Sequence, residues 1–454
     1  MMRHERLCWA VPGFLLLFVL AARADDGGEP VVLRAGVAER DVTPQAAVPM
    51  WGYGARHAML SDGVLDPLSA KAIVLAAGDD KLALVATDLG RGPTPAMMAT
   101  IRSRLADVGI EHVIVTGSHS HHGPVIELTD RPGFGGERFP DAVAYSARLP
   151  ELIVEAVLEA NDKLVPVVLA VAKRNVGLNR NRHWRGEAKP TDPQLLAVRI
   201  DTTDGEPLAV LVNFAAHPVM TDTMQLKFSA DYPGYLKHKI EAEHGGMCLF
   251  FQGAAGDMST NPPSGVRGPQ EYGEHLAGVV LEMIDQVEPA ALAKPTIAGK
   301  VHRALYDSRV DFTNPFVLVA YSQAFFPELI RNYAEENARG IPTEVDTVLL
   351  GDEIAIVSGS GEFFCNHAVR LRERLDVPNV LFLGYANGHN LYVPTIEAAS
   401  MGGYGAGPEV SPVAVGAGEE LMNEALVNCY QLLGRLPDSS PADAVSAADT
   451  APTP

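Results

Sequence analysis

Residues 112–124 read HVIVTGSHSHHGP, an apolar strand from His112 to Val115 that runs directly into Ser118, His119, Ser120, His121, His122, Gly123 and Pro124. A short uninterrupted run of Val and Ile reads as a buried strand, and polar residues at the point where such a strand stops occupy the usual ligand position of an open α/β sheet. The same pattern recurs outward in both directions, in AKAIVLAA, KLALVATD, PLAVLVNF, MCLFFQG, TVLLGDEIAIVSG and NVLFLGYAN, each ending in small or polar turn residues. Helical patterns lie between them, over Thr94 to Val108, Tyr145 to Asn161, Pro233 to Glu243, Tyr272 to Val287 and Cys365 to Leu375. The alternation predicts an α/β class: a mixed α/β domain with central β-sheets flanked by helices.

The chain of 454 residues opens with MMRHERLCWAVPGFLLLFVLAARA, a basic start, an apolar run from Val11 to Leu20, and Ala22 and Ala24 bracketing Arg23. That is the form of a cleavable signal peptide over 1–24, which predicts a secreted or periplasmic protein. The apolar run is about half of the ~20 residues a membrane-crossing helix needs, so no transmembrane anchor is expected. No internal repeat or polar linker divides the rest, which reads as one large domain or two fused lobes over 30–436. Residues 437–454 are Pro, Ala, Ser, Asp and Thr with little that can pack, and read as a disordered tail. A net charge of -20 disfavours nucleic acid as a partner, and anionic lipid surfaces as well. Cys248, Cys365 and Cys429 have no close spacing and sit in apolar runs, so they imply buried thiols rather than a disulfide framework or a cysteine metal site. Oligomeric state is not legible.

The chemistry-bearing residues fall in five segments. If strand geometry persists past Val115, His119 and His121 share one face. That arrangement suits a zinc ligand beside an acid–base group, with further ligands supplied from elsewhere. His122 reads as a structural side chain. His217 follows the apolar strand PLAVLVNF, where an unpartnered imidazole is costly to bury. Glu362 follows a Gly-rich strand end and opens an amphipathic helix, a position that also suits a helix-capping carboxylate. FFQGAAGDMSTNPP offers Asp257 and Ser259 among small residues that admit a ligand to the backbone. No G-x-S-x-G elbow occurs, so a serine α/β-hydrolase mechanism has no local support. The fifth segment, LGYANGHNLYVPTIEAASMGGYG, carries Asn387, His389, Asn390, Tyr392 and Tyr404.

Taken in order, these segments resemble the catalytic domain of the neutral/alkaline ceramidase family over about Val32 to Leu436. The matching motifs are SHSHHGP, GDMSTN, GEF and NGHNLYVPT. The resemblance implies Zn2+ held by His119, His217, Glu362 and Tyr392. It implies hydrolysis of an N-acyl amide, ceramide or a related N-acyl lipid, by zinc-activated water. His121 would handle protons, Tyr404 or Arg180 (in GLNRN) would steady the oxyanion, and Ser259 would be a nucleophile or, preferably, a contact for a substrate hydroxyl.

Ser118, Ser120, His122 and Thr260 depart from the family's residues, and His389 stands where the family has the first tyrosine of a Tyr-x-x-Tyr run. The chain also ends about where the family's C-terminal immunoglobulin-like domain is expected. Fold and metal chemistry alone do not fix a substrate. Two rival readings are therefore a same-site zinc hydrolase of a non-lipid amide or ester, such as an N-acyl sugar or cell-wall compound, and a non-catalytic exported binding protein.

Overall fold

The computed structural model describes residues 31–183 and 189–438. The expected signal peptide, and all of the expected tail beyond Asp438, lie outside these. The chain from Val32 onward groups into one compact unit.

Three stretches of chain share one topology. The first contains β1 (Leu33–Asp41), β2 (Ser69–Ala77), β3 (Asp80–Thr87), α1 (Pro95–Ala106), β4 (His112–Gly117) and α2 (Pro140–Asp162). The second contains β5 (Val165–Asn175), β6 (Gln194–Thr202), β7 (Pro207–Phe214), α3 (Tyr232–Glu243), β8 (Met247–Gln252) and α4 (Gly268–Ile284). The third contains β9 (Ile297–Tyr306), two helices α5 (Pro315–Ala324) and α6 (Pro327–Glu336), β10 (Ile341–Leu350), β11 (Ile354–Ser358), α7 (Cys365–Arg374), β12 (Asn379–Leu383), α8 (Ile396–Met401) and α9 (Ala417–Leu432). In each repeat the strands pair antiparallel, antiparallel, then parallel. The parallel step requires a crossover, and α1, α3 and α7 supply it.

Repeats one and two join through β1 and β5 into an eight-stranded sheet ordered β8-β7-β6-β5-β1-β2-β3-β4, and repeat three forms a separate four-stranded sheet. The two sheets pack face to face. Ile73, Leu75 and Leu84 of repeat one and Leu211 and Phe251 of repeat two share a core with Val348, Ile356 and Leu381 of repeat three. The alternate residues Val74 and Val85 point the other way and pack under Ile101 of α1 and Ile153 of α2. Helices α3 and α4 cover β7 and β8, and α7 and α9 cover the second sheet. The result is four layers, helices outside and two sheets inside. All nine residues of β2 are buried, which is why it reads as an unbroken apolar run.

Local chemistry sets the boundaries. The β2–β3 hairpin turns at Gly78, whose φ of 62° suits a tight primed turn. Thr94 caps α1 by accepting from the Met97 amide at 3.3 Å, with Pro95 in the first turn. Asp257 of repeat two accepts from the amide of Cys365 at 2.7 Å, capping α7 of repeat three across the sheet interface. Cys248, Cys365 and Cys429 are all free and buried. Among the described residues no helix is long and apolar enough to cross a membrane.

Candidate functional site

The carboxyl ends of the third and fourth strands of all three repeats converge. His119 follows β4, His217 follows β7, Glu362 follows β11 and Tyr392 follows β12. Strand geometry does not persist as far as His119: β4 ends at Gly117, and His119 has a φ of 69°, an uncommon left-handed conformation for a residue with a Cβ. The turn still brings His121 Nε2 to 3.1 Å from His119 Nε2.

Two backbone carbonyls orient the central rings. His119 Nδ1 lies 2.7 Å from the Gly90 carbonyl and His217 Nδ1 2.7 Å from that of Ala255. A carbonyl only accepts, so each Nδ1 carries the proton and each Nε2 is left unprotonated as an acceptor. Those two Nε2 atoms stand 3.0 Å apart. Glu362 Oε2 lies 3.4 Å from the first and 3.2 Å from the second, and has no hydrogen-bond partner of its own. Three acceptor atoms face one another in a buried space with one guanidinium, that of Arg182, at its edge, and imidazole nitrogen with carboxylate oxygen is a donor set that zinc accepts. His119, His121 and His217 offer ligand atoms within 4.8 Å of one another, so this group can hold a metal ion.

The protonation states fit that role. Burial pushes His217 down to about 3, helped by the neighbouring Arg182 cation and His119. Burial, then His119 and His217, likewise hold His121 well below its ordinary value. Burial alone would raise Glu362, but positive charge at the position of His119 and His217 outweighs it and keeps the carboxyl well below its usual range. Burial, and then the charge of Glu362, push the Tyr392 phenol well above its ordinary value.

Tyr392 is placed by a short parallel pairing in which it stands opposite Glu362. Its hydroxyl accepts from Arg182 Nη2 at 3.0 Å and lies 3.4 Å from the hydroxyl of Tyr404. The same Arg182 nitrogen reaches His217 Nε2 at 2.9 Å and the Gly256 carbonyl at 3.1 Å. Arg180, the arginine expected here, is not at the cluster. It lies on the short strand Asn179–Asn181, whose alternation buries Asn179 and Asn181 and leaves Arg180 exposed. Arg182 follows that strand and points its guanidinium inward, although much of its side chain remains reachable by solvent. The strand period puts both arginines on one face, so no local pattern separates the two.

Ser259 pairs with His217 through the backbone and with Arg180 in register, but it is not among the residues that line the cavity beside the histidines. His122 turns away, with Nε2 3.0 Å from the Asp222 carbonyl. His389 is buried beside the cluster, its Nε2 3.7 Å from Glu362 Oε1.

The cavity above the cluster encloses about 930 Å³, counting the part open to solvent. His119, His121, Glu362, Tyr392 and Tyr404 line the end at the cluster. Tyr321, Phe325, Phe326, Leu329 and Ile330, from the α5–α6 segment inserted in repeat three, form an apolar wall. Trp51 comes from the β1–β2 connection and sets its ring edgewise to His119, His121 and His389 at 5.2, 5.5 and 5.3 Å. Sequence reading missed both of these segments.

Two solved structures share this arrangement of elements. Neutral ceramidase from Pseudomonas aeruginosa superposes with a TM-score of 0.73 over 91% of this chain and 76% of that one, at 20% identity. A ceramidase complexed with C2 gives 0.70 over 90% of this chain and 77% of that one, also at 20% identity. The chain has the neutral ceramidase fold. That fold matches the architecture implied by the SHSHHGP, GEF and NGHNLYVPT motifs, and the ceramidase-like span includes all three repeats. No family model matches the chain.

Proposed function

We propose that this chain is an exported zinc-dependent hydrolase that cleaves an N-acyl amide, with ceramide or a related N-acyl lipid as substrate. The observation that carries the reading is the knot of His119, His217 and Glu362 acceptor atoms at the end of a cavity with an apolar wall, in a chain of neutral ceramidase fold. His119, His217 and Glu362 would hold the metal, with the Tyr392 hydroxyl as a fourth donor. Zinc bound there supplies a Lewis acid and lowers the pKa of a coordinated water to about 7.

The rest of the chemistry belongs to the side chains. His121, neutral and 3.1 Å from His119 Nε2, is placed to move a proton between the attacking water and the departing amine. The Arg182 guanidinium and the Tyr404 hydroxyl flank Tyr392 and donate to the oxygen that gains charge as the carbonyl becomes tetrahedral. The aromatic and aliphatic wall from α5 and α6 takes the acyl chain and keeps bulk water from the amide.

The test is fatty-acid release from a fluorescent ceramide by the purified protein, with metal content measured on the same sample and His119→Ala as control. Turnover that disappears on chelation, returns with zinc and is absent from the variant is the expected result. Zinc retained without ceramide turnover would remove the lipid substrate and leave a hydrolase of another amide or ester. Failure to bind zinc would remove the mechanism.

A further inference from the structure

Helix α5 borders the cavity and has no buried residue. None of its ten residues is charged, and its polar side chains are Tyr321, Ser322 and Gln323. The inner side is accounted for. Leu318 and Tyr321 pack against the core of repeat three, and Tyr321 lines the cavity together with Phe325 at the end of the helix. Phe316, Val319, Ala320 and Gln323 are spaced as one face of a helix and are all exposed, Phe316 at 84% and Val319 at 57%. A surface helix ordinarily turns charged and polar residues away from the core, whereas a helix that is apolar all round is ordinarily covered.

The bare face continues to the mouth of the cavity. The Tyr321 hydroxyl donates to the Glu409 carbonyl at 2.8 Å, which joins α5 to the loop that carries Tyr404. Tyr404 lines the cavity and is 66% exposed, so it stands where the cavity opens. At the C-terminal end of the helix, His57 Nδ1 lies 2.9 Å from the Phe325 carbonyl, and Met59 beside it is 45% exposed. A tyrosine with a polar tip next to bare aliphatic and aromatic side chains suits a boundary between water and hydrocarbon.

Size and charge decide what covers this face. The exposed stripe of a ten-residue helix measures roughly 15 Å by 10 Å, or about 150 Å², against about 800 Å² on each partner in a stable protein interface. Insertion at a lipid surface needs no matching partner and scales with apolar area. Helix α5 has no cation to offer a phosphate, and a net charge of -20 repels an anionic membrane. We infer that the outer face of α5 docks on a lipid surface with zwitterionic headgroups, and that Phe316 and Val319 enter it with the cavity mouth turned to the same surface. The docking stands apart from the hydrolase reading, and only its consequence for turnover rests on that reading.

Flotation of the zinc-loaded protein with vesicles of pure dioleoylphosphatidylcholine measures the docking. A fluorescent ceramide, supplied in those vesicles or as a short-chain monomer, measures turnover in the same samples. Burying one large apolar side chain changes partition by about ten- to a hundredfold. Phe316→Gln/Val319→Gln is therefore expected to weaken vesicle binding by about tenfold or more and to lower turnover of the vesicle-borne ceramide with it, while turnover of the monomer stays within about twofold. Both positions are exposed and outside the cavity lining, so the variant keeps the site. Wild type that does not float, or a variant that floats equally well, overturns the inference. So does a wild-type dimer that the variant dissociates, which would make this face a contact between copies of the chain, and so does binding that requires phosphatidylserine. Flotation without turnover of either ceramide upholds the docking face and defeats the hydrolase reading; turnover of the monomer without flotation does the reverse.

Discussion

Arg182 and Arg180 are two positions apart, so strand alternation would set them on one face, and the turn after Asn181 is what sends the Arg182 guanidinium to the cluster. Arg182 donates to His217 Nε2, the Tyr392 hydroxyl and the Gly256 carbonyl, while Arg180 is exposed. Removing a donor aimed at a developing oxyanion typically costs about 100- to 1,000-fold in turnover. Arg182→Ala is therefore expected to lower kcat on that scale with zinc still bound, and Arg180→Ala to leave kcat within about twofold. Steady-state kinetics on both variants at matched zinc content decide it, and equal losses would mean that Arg182 acts only through the fold. His119, His217 and Glu362 were legible because each follows an apolar strand directly, and Tyr392 and Tyr404 were reached by motif. Arg182 needed the turn that follows a three-residue strand, and Trp51 lies in PMWGYG, which no local pattern marks as a site. Such residues are identified by what the fold sets opposite them.

At the scale of elements, apolar runs located the buried strands and missed the amphipathic ones. Strand β9 alternates half-buried and exposed residues and carries Lys300, His302 and Arg303, so it does not stand out as a core strand. Strand β5 is similar, with Val165 and Pro166 exposed at its start. These strands open repeats three and two, so passing over them hid the threefold topology. Helix α5 has no buried residue, which removes the one-sided apolar stripe by which a surface helix is read. The connections that carry the site are tightly packed. A Cβ at Gly90 would lie 2.1 Å from Cε3 of Trp51, and the Gly90 carbonyl holds the His119 ring. Gly90→Ala must displace either the indole or that carbonyl, and outer contacts of this kind typically change metal affinity by about 10- to 100-fold. The expected outcome is zinc affinity reduced on that scale with an unchanged far-ultraviolet circular dichroism spectrum. Affinity equal to wild type would show that the carbonyl does not fix the ring.

Across the whole molecule, the cluster draws one side chain from each repeat: His119 from the first, His217 from the second and Glu362 from the third. The third repeat sits in its own sheet, held to the other two by an apolar face that has no directional preference, so a metal among these three side chains ties the two sheets at a defined point. A ligand that binds only the folded chain stabilises it by mass action, about 2.7 kcal/mol when free zinc is a hundred times its dissociation constant. Chelation should therefore lower the melting temperature by several degrees, and His119→Ala should abolish the difference between zinc and chelator. Amide hydrogen exchange locates the effect. If the metal joins the repeats, chelation should speed exchange together in the segments around Gly90 and His119, around His217 and Ala255, and around Glu362 and Tyr392, because each segment then loses the same tether. Faster exchange confined to the His119 turn would mean that the metal is bound by one repeat alone, and that the apolar sheet interface keeps the other strand ends in place without it.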